Sequence, residues 1–181
     1  MYIIDKLAYC PKCGSHHFDK NSEKSRRCDN CGFEWFMNAS SANVAFILND
    51  RGELLVERRK CEPGKGTLDL PGGFADVGET AEEGLVREVR EETGLTVTHA
   101  SYIFSLPNVY HYGDEDVPTL DLFFRCEVES TDCLEAADDA AECMWLRPED
   151  IHTELFGLRS VRWGLSEFLK TLPRTDAGEQ K

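Results

Sequence analysis

Three glutamates, Glu88, Glu91 and Glu92, have the spacing of neighbours on one face of a helix. Like charges at these spacings repel one another, at a cost of a few tenths of a kcal/mol per pair. A solvated acidic face is one interpretation of such a cluster. Carboxylate oxygens are also the ligands that Mg²⁺ and Mn²⁺ prefer, and these ions can bind phosphate oxygens and activate water. We therefore interpret this face as a site for hard divalent cations.

The helix that carries the glutamates is predicted over 81–92. Thr80 is of a type favoured at the N-cap, and Glu83 stands three residues later, where it can close a capping box. Gly94 can end the helix in a left-handed turn. Gly84 lies mid-helix on the acidic side, where a glycine costs about 1 kcal/mol relative to alanine, so another group is expected to approach the backbone there.

The stretch from Gly73 to Leu95 resembles the signature of the Nudix hydrolases. The pattern is a glycine, five residues, a glutamate, seven residues and then Arg-Glu-Val-Arg-Glu-Glu-Thr-Gly-Leu. Its restricted positions are filled by Gly73, Glu79, Arg87, Glu88, Val89, Glu91, Glu92, Gly94 and Leu95. The resemblance covers about residues 40–172. It implies an α/β fold, an α/β/α sandwich with a mixed sheet, and metal-dependent cleavage of a nucleoside diphosphate linked to a group X.

The resemblance also implies roles for individual residues. The three glutamates match metal ligands, and the backbone carbonyl of Gly72 matches a further ligand. Arg87 would orient a glutamate through a charge-assisted hydrogen bond and pair with Glu79. The general base would be Glu88, Glu92 or an acid of the loop 134–143, in which Asp139 and Glu142 are the candidates.

Two Cys-x-x-Cys-Gly pairs precede this region. Cys10 and Cys13 are separated by fourteen residues from Cys28 and Cys31. Two such pairs supply the four thiolates that a tetrahedral Zn²⁺ site requires. Two disulfides are the alternative, which the lack of a signal-peptide pattern disfavours. The sequence therefore predicts a zinc ribbon over 1–36, mainly structural, although ribbons can also bind nucleic acid or another chain. Phe33, Trp35 and Phe36 are expected to pack it onto the next domain.

The chain has 181 residues and a formal net charge of −14. Strong negative charge disfavours broad nucleic-acid binding and suits a protein that handles phosphates through metal ions. No run of 18 apolar residues is present, which excludes a membrane-spanning helix, and the N-terminus does not resemble a signal peptide. We expect a cytoplasmic protein with a ribbon over 1–36, a hydrolase domain over 37–172 and a flexible tail over 173–181.

Alternating apolar segments predict the strands that surround the signature. Strands are expected at 44–48, 53–59, 99–106, 119–128 and 144–146, and a closing amphipathic helix contains the apolar positions between 161 and 172. Arg58 and Arg59 end the second strand, where either could contact a phosphate or remain a surface cation. The cysteines outside the pairs, Cys61, Cys126, Cys133 and Cys143, are expected to be buried or incidental thiols.

A loop is predicted over 107–118, and its Tyr110 and Tyr112 could stack on a base or ribose. Just before it, Ser105-Leu106-Pro107 resembles the start of a motif of the NADH pyrophosphatases, which also carry a four-cysteine ribbon. Asn108-Val109-Tyr110 departs from the rest of that motif. The resemblance implies Mg²⁺- or Mn²⁺-dependent hydrolysis of ADP-ribose, NADH or a related dinucleotide. A nucleoside-triphosphate pyrophosphatase and a non-catalytic nucleotide sensor are the alternatives. The expected partner is a small nucleotide, with a homodimer plausible from the resemblance.

Overall fold

The computed structural model describes residues 1–132 and 134–173. Cys133 and the predicted tail beyond Pro173 lie outside the described residues. None of the helices in these ranges has both the length and the apolar character that crossing a bilayer requires.

The N-terminal module is a small three-stranded antiparallel sheet preceded by one helical turn. Its elements are α1 (Ile3–Lys6), β1 (Phe18–Ser22), β2 (Ser25–Cys28) and β3 (Glu34–Phe36). Cys10, Phe18 and Cys28 form its buried centre. Phe33 and Trp35 pack against this centre and Phe36 is 47% exposed, so two of the three rings expected to attach the ribbon to the next domain contribute to the core of the ribbon itself. A module this small needs its own aromatic residues to cover its core.

The larger part of the chain has two three-stranded sheets. The first has the order β4-β8-β7, with β4 parallel to β8 and β7 antiparallel to it, and the second is antiparallel with the order β6-β5-β9. The elements are β4 (Ser40–Ile47), β5 (Leu54–Arg59), β6 (Leu68–Asp69), α2 (Ala81–Thr93), β7 (Val97–Tyr112), β8 (Glu115–Val128), β9 (Ala140–Leu146) and α3 (Arg159–Leu169).

Two apolar clusters fill the spaces around these sheets. One contains Phe46, Phe123 and residues of α3, and the other contains Ala45, Phe124 and residues of α2. Because neighbouring residues of β4 face opposite sides, the helices cover opposite faces. The expected α/β/α sandwich with a mixed sheet is confirmed.

The prediction of a loop over 107–118 is wrong. β7 and β8 continue as a paired hairpin up to Tyr112 and from Glu115, so that only Gly113 and Asp114 form the turn. Pro107 is tolerated because β7 is the edge strand of its sheet, and Pro118 lies just beyond the residues that pair with β4. The ribbon contacts this hairpin through Lys6, whose Nζ lies 2.7 Å from a carboxylate oxygen of Glu115.

The predicted acidic loop 134–143 is shorter than expected. β9 begins at Ala140 and pairs with β5, so Glu142 and Cys143 lie in a strand. Glu142 lies opposite Arg58, whose Nε is 3.2 Å from its Oε2. This cross-strand ion pair favours the extended conformation of a segment whose composition is typical of a loop.

Candidate active site

The predicted boundaries of α2 are confirmed to within one residue. The Oγ1 of Thr80 accepts a hydrogen bond from the Glu83 backbone at 3.1 Å, and Oε2 of Glu83 accepts one from the Thr80 N–H at 2.8 Å. Gly94 ends the helix with φ of +72°. The capping box and the left-handed glycine fix where the acidic turns of the helix begin and end.

The close approach expected at Gly84 is also present. A Cβ at this position would lie 3.0 Å from the Asn43 Nδ2 and 3.3 Å from the Ala75 Cα. The glycine therefore lets β4 and the signature loop lie directly against the first turns of α2.

The loop before α2 is fixed to β4 by backbone hydrogen bonds. Asn43 N–H donates to the Gly73 carbonyl at 2.8 Å, and Ala75 N–H donates to Ser41 at 3.1 Å. Gly72 has φ of +144°, and a Cβ there would lie 2.0 Å from the Asn43 carbonyl oxygen. Only glycine suits both its conformation and this contact.

Arg87 joins the loop to the acidic face of the helix. Its Nε and Nη2 donate to both carboxylate oxygens of Glu79, at 2.8 and 3.0 Å, and Nη2 also donates to the Phe74 carbonyl. Its Nη1 donates to Glu88 at 2.8 Å and to Glu91 at 3.1 Å. These hydrogen bonds lower the pKa of Glu79 to about 2. One guanidinium thus fixes three carboxylates.

Glu92 points inward from α2. It is 5% exposed, and its Oε2 accepts a hydrogen bond from the Gly72 backbone at 2.8 Å. Burial and the nearby carboxylate of Glu57 raise its pKa to about 10. Burial also raises the pKa of Glu88. A cation placed beside these groups would reverse both effects, because an opposite charge favours the ionised form.

A cavity of about 240 Å³ lies beside α2. Glu88 and Glu92 line it, whereas Glu91 does not and is 47% exposed. The three signature carboxylates do not all lie within 4.8 Å of one another; within the described residues, the cysteine group alone meets that spacing. The fit to Mg²⁺ or Mn²⁺ therefore rests on the chemistry of the donors, which are hard carboxylate oxygens, and on their burial around one space.

The cavity carries a strongly negative charge when its acidic side chains are ionised. Among the described residues, seven carboxylate side chains line it against one cationic side chain, that of Arg59. The seven are Glu57, Asp69, Asp76, Glu88, Glu92, Asp121 and Asp139. Such an excess of negative charge repels a polyphosphate unless cations are bound as well.

Two of the four predicted substrate-binding residues line the cavity. Arg59 and Tyr110 do so, and the Arg59 Nη2 lies 3.3 Å from the Tyr110 hydroxyl. Phe74 meets the Tyr110 ring edge-on at 5.3 Å between centroids. Arg58 is directed to Glu142 instead, and Tyr112 is 70% exposed near the hairpin turn. Because side chains alternate along a strand, consecutive residues such as Arg58 and Arg59 cannot share one face.

The two acids considered as bases also lie in different places, because Asp139 precedes β9 and Glu142 lies within it. Asp139 lines the cavity, whereas Glu142 pairs with Arg58 outside it. Of these two acids, Asp139 is therefore the one that lines the cavity together with Glu88 and Glu92.

Comparison with known proteins is decisive for the family. The model of the NUDIX domain matches residues 37–169. The chain belongs to the Nudix family. Among curated Nudix relatives, the NAD-capped RNA hydrolase NudC of Escherichia coli O157:H7 is 28% identical over 143 residues, and that of Escherichia fergusonii is 27% identical. Each match covers 79% of this chain and 52% of the relative, so the chain spans about half the length of these proteins.

Solved Nudix structures share the fold. The NUDIX hydrolase from Nitrosomonas europaea superposes with a TM-score of 0.69 at 18% identity and covers 91% of both chains. The MutT protein from Methanosarcina mazei Go1 superposes with a TM-score of 0.57 at 25% identity, covering 73% of this chain and 93% of that one. These likenesses agree with the fold that the signature led us to expect.

Two buried acids of the Nudix domain were not predicted as site residues from the sequence. Glu57 is 3% exposed and Asp69 is 4% exposed, and they lie opposite each other on β5 and β6. Asp69 pairs with the guanidinium of Arg59, whereas the buried Oε2 of Glu57 has no hydrogen-bond partner in the part of the chain that the structure describes. A usable signal was present, because Glu57 directly follows the aliphatic run 54–56 and Asp69 stands between two leucines.

A third polar group at the cavity was also missed. Asp121 is buried at 4% exposure and accepts hydrogen bonds from Thr119 at 2.6 Å and from the Asn108 Nδ2 at 3.1 Å. Ser160 of α3 also donates to it. Asp121 occupies a polar position in the ordinary polar–apolar alternation of a strand, so nothing in the local sequence indicates its place in the cavity.

The four ribbon cysteines come together as predicted. Their Sγ atoms all lie within 4.8 Å of one another, with 3.7 Å between Cys10 and Cys31 and 3.6 Å between Cys13 and Cys28. Zn–S bonds of about 2.3 Å in a tetrahedron require sulfur atoms about 3.8 Å apart. The cluster therefore has the spacing of a four-thiolate zinc site.

Proposed function

We propose that this chain hydrolyses the diphosphate bond of a nucleoside diphosphate linked to a group X, with Mg²⁺ or Mn²⁺ as the cofactor. The observation that carries the proposal is the placement of Glu88 and Glu92 in one cavity with Arg59 and Tyr110. Carboxylates, a guanidinium and an aromatic ring are the groups that a metal-bound diphosphate attached to a ribose or base would meet.

The signature residues have separate tasks in this proposal. Glu88, Glu91, Glu92 and the Gly72 carbonyl would hold the divalent ions. When bound, such ions supply positive charge against the diphosphate and polarise the attacking water. Glu88, Glu92 or Asp139 would accept the proton of that water.

The remaining contacts position these groups. Arg87 keeps Glu79, Glu88 and Glu91 in fixed orientations, and the Gly72 N–H does the same for Glu92. Arg59 is already fixed by Asp69 and the Pro63 carbonyl, so it would meet a phosphate oxygen with little loss of side-chain entropy.

ADP-ribose, NADH and related dinucleotides are the proposed substrates. The curated relatives act on NAD-capped RNA according to their name, and an NAD cap contains the same diphosphate between two nucleosides. The net charge of −14 favours a small dinucleotide over an RNA, because RNA binding relies on many cationic contacts. We further propose that the four ribbon cysteines bind a structural Zn²⁺ that stabilises the N-terminal module.

A release assay tests the enzymatic proposal. Full-length protein is incubated with Mg²⁺ and ADP-ribose, NADH, FAD, nucleoside triphosphates or an NAD-capped RNA, and nucleoside monophosphate is measured. Preferred cleavage of a small dinucleotide supports the proposal. Preferred cleavage of triphosphates or of capped RNA would replace the substrate assignment. Micromolar binding without any cleavage would favour a nucleotide sensor.

Matched variants on α2 test the assignment of the signature. Glu92→Gln keeps the shape of the side chain and is expected to lower kcat about 10²-fold or more, with an unchanged melting temperature. Glu82→Gln is the control, since Glu82 is exposed on the same helix and does not line the cavity. Near-wild-type turnover in Glu92→Gln would rule out the assignment.

A further inference from the structure

Glu57 is a buried carboxylate that the Nudix signature does not include. It lies in the middle of β5 with 3% exposure, it lines the cavity, and its Oε2 has no hydrogen-bond partner among the described residues. An ionised carboxylate is costly to bury unless it is paired or coordinates a metal. The question is which group this carboxylate would bind.

Strand pairing directs Glu57 toward Glu92. Glu57 lies opposite Cys143 of β9, and directly paired residues of neighbouring strands point to the same face of the sheet. The Sγ of Cys143 lies 3.8 Å from the backbone carbonyl of Glu92. The two glutamates thus approach one another from β5 and from α2, and the charge of Glu57 acts on Glu92.

The nearest cation does not neutralise Glu57. Arg59 lies on the same face two residues later, but its donors reach Asp69, the Pro63 carbonyl and the Tyr110 hydroxyl. Glu88 and Asp139 add further negative charge around Glu57. The space between β5 and α2 is therefore surrounded by carboxylates. Within residues 1–132 and 134–173, one oxygen of Glu57 has no hydrogen-bond partner.

We propose that Glu57 is a ligand of a divalent cation that binds between β5 and α2, shared with Glu92. The inference deepens the proposed function and rests on it, because the ion would belong to the same cavity. It assigns a metal-binding role to a strand residue outside the helix that carries the signature. Carboxylates from two separate elements would hold the ion more rigidly than neighbouring side chains of one helix can.

Mn²⁺ binding to the full-length, zinc-loaded protein tests the proposal. Titration calorimetry, with free Mn²⁺ followed by electron paramagnetic resonance, gives stoichiometry and affinity for wild type and Glu57→Gln. The variant keeps the volume of the side chain and is expected to lose one bound Mn²⁺ or to bind it at least tenfold more weakly. Glu127→Gln is the control, since Glu127 is exposed on β8 and does not line the cavity.

Thermal unfolding separates a ligand from a merely structural group. Without added Mn²⁺, Glu57→Gln is expected to melt at the same temperature as wild type or higher, because it removes a buried carboxyl group of which one oxygen has no hydrogen-bond partner among the described residues. Added Mn²⁺ should raise the melting temperature of wild type more than that of the variant. Equal Mn²⁺-induced shifts and equal affinities would overturn the proposal, and so would a wild-type protein that binds no Mn²⁺.

Two further results separate this proposal from the enzymatic one. If Glu57 and Glu92 share one ion, their Gln substitutions weaken Mn²⁺ binding non-additively, and additive losses would contradict a shared ion. If the wild-type protein hydrolyses a substrate and Glu57→Gln binds Mn²⁺ as tightly as wild type does, the metal-binding role of Glu57 is rejected and the proposed enzymatic function stands. Glu57-dependent Mn²⁺ binding without hydrolysis of any substrate would support the inference and reject the proposed function.

Discussion

The backbone N–H of Gly72 donates a hydrogen bond of 2.8 Å to the Oε2 of Glu92. This contact joins the signature loop to the buried end of the acidic helix. It requires the loop to lie against β4, where the Gly72 backbone approaches the Asn43 carbonyl. The orientation of Glu92 therefore depends on a residue without a side chain.

Gly72→Ala tests this dependence. The new Cβ would lie 2.0 Å from the Asn43 oxygen at φ of +144°, so the loop must move, at an expected cost of about 2–5 kcal/mol in the free energy of unfolding. Gly78→Ala is the control, because Gly78 has φ of +96° but open space around it, and should cost about 1–2 kcal/mol. Urea unfolding measures both. Equal losses in the two variants would show that the close contact is unimportant.

Arg87→Lys is expected to impair the site without removing its charge. A lysine cannot donate simultaneously to Glu79, Glu88, Glu91 and the Phe74 carbonyl, as the guanidinium does. Residues that orient metal ligands typically contribute 10–100-fold to metal affinity or activity, so Mn²⁺ affinity and kcat should fall by about that factor. Arg90→Lys, exposed on the same helix, serves as the control. Wild-type values in Arg87→Lys would mean that the network has no positioning role.

The ion pair of Glu79 and Arg87 predicts an acid-sensitive contribution to stability. The pKa of Glu79 is lowered from its ordinary value of 4.5 to about 2, so the folded state favours the ionised carboxylate. Its contribution is present above pH 4.5 and is lost as the pH falls toward about 2. The melting temperature of Glu79→Gln should therefore lie below that of wild type at pH 7, with a smaller gap near pH 3. A gap that widens in acid would contradict the sign of this shift.

Thiol labelling tests the environments of the cysteines outside the ribbon. Burial raises the pKa of Cys126 and of Cys143 to about 12, so neither contains much thiolate at pH 8. Cys61 is exposed. Iodoacetamide followed by peptide mass spectrometry should modify Cys61 before Cys126 and Cys143 in the folded protein, and should modify these three together in urea. Early modification of Cys126 would show that β8 opens readily.

The sequence predicted those parts of the site that depend on local pattern. Helix caps, the signature spacing and the cysteine pairs are each defined by residues close in the chain, and all three appear in the structure. The position of Arg59 and Tyr110 depends on which strand face is buried, which the sequence alone does not give. Arg58 and Tyr112 were equally plausible candidates for that reason.

The remaining errors have a common physical cause. Pro107 and Pro118 favoured a loop, yet proline is tolerated in an edge strand and in the part of β8 that does not pair with β4. Glu57 was not predicted as a site residue because its role depends on Glu92, which lies thirty-five residues later in the sequence. Long-range pairing supplied the information that local propensity lacks.

The attachment of Lys6 to Glu115 has a practical consequence for experiments on shortened proteins. A fragment that begins at residue 37 would retain every signature glutamate but lose the support at the far end of the β7–β8 hairpin. Tyr110 and Asn108 lie on that hairpin. Weak nucleotide affinity in such a fragment would then reflect a less rigid hairpin. Catalytic activity should therefore be measured on a chain that includes the ribbon.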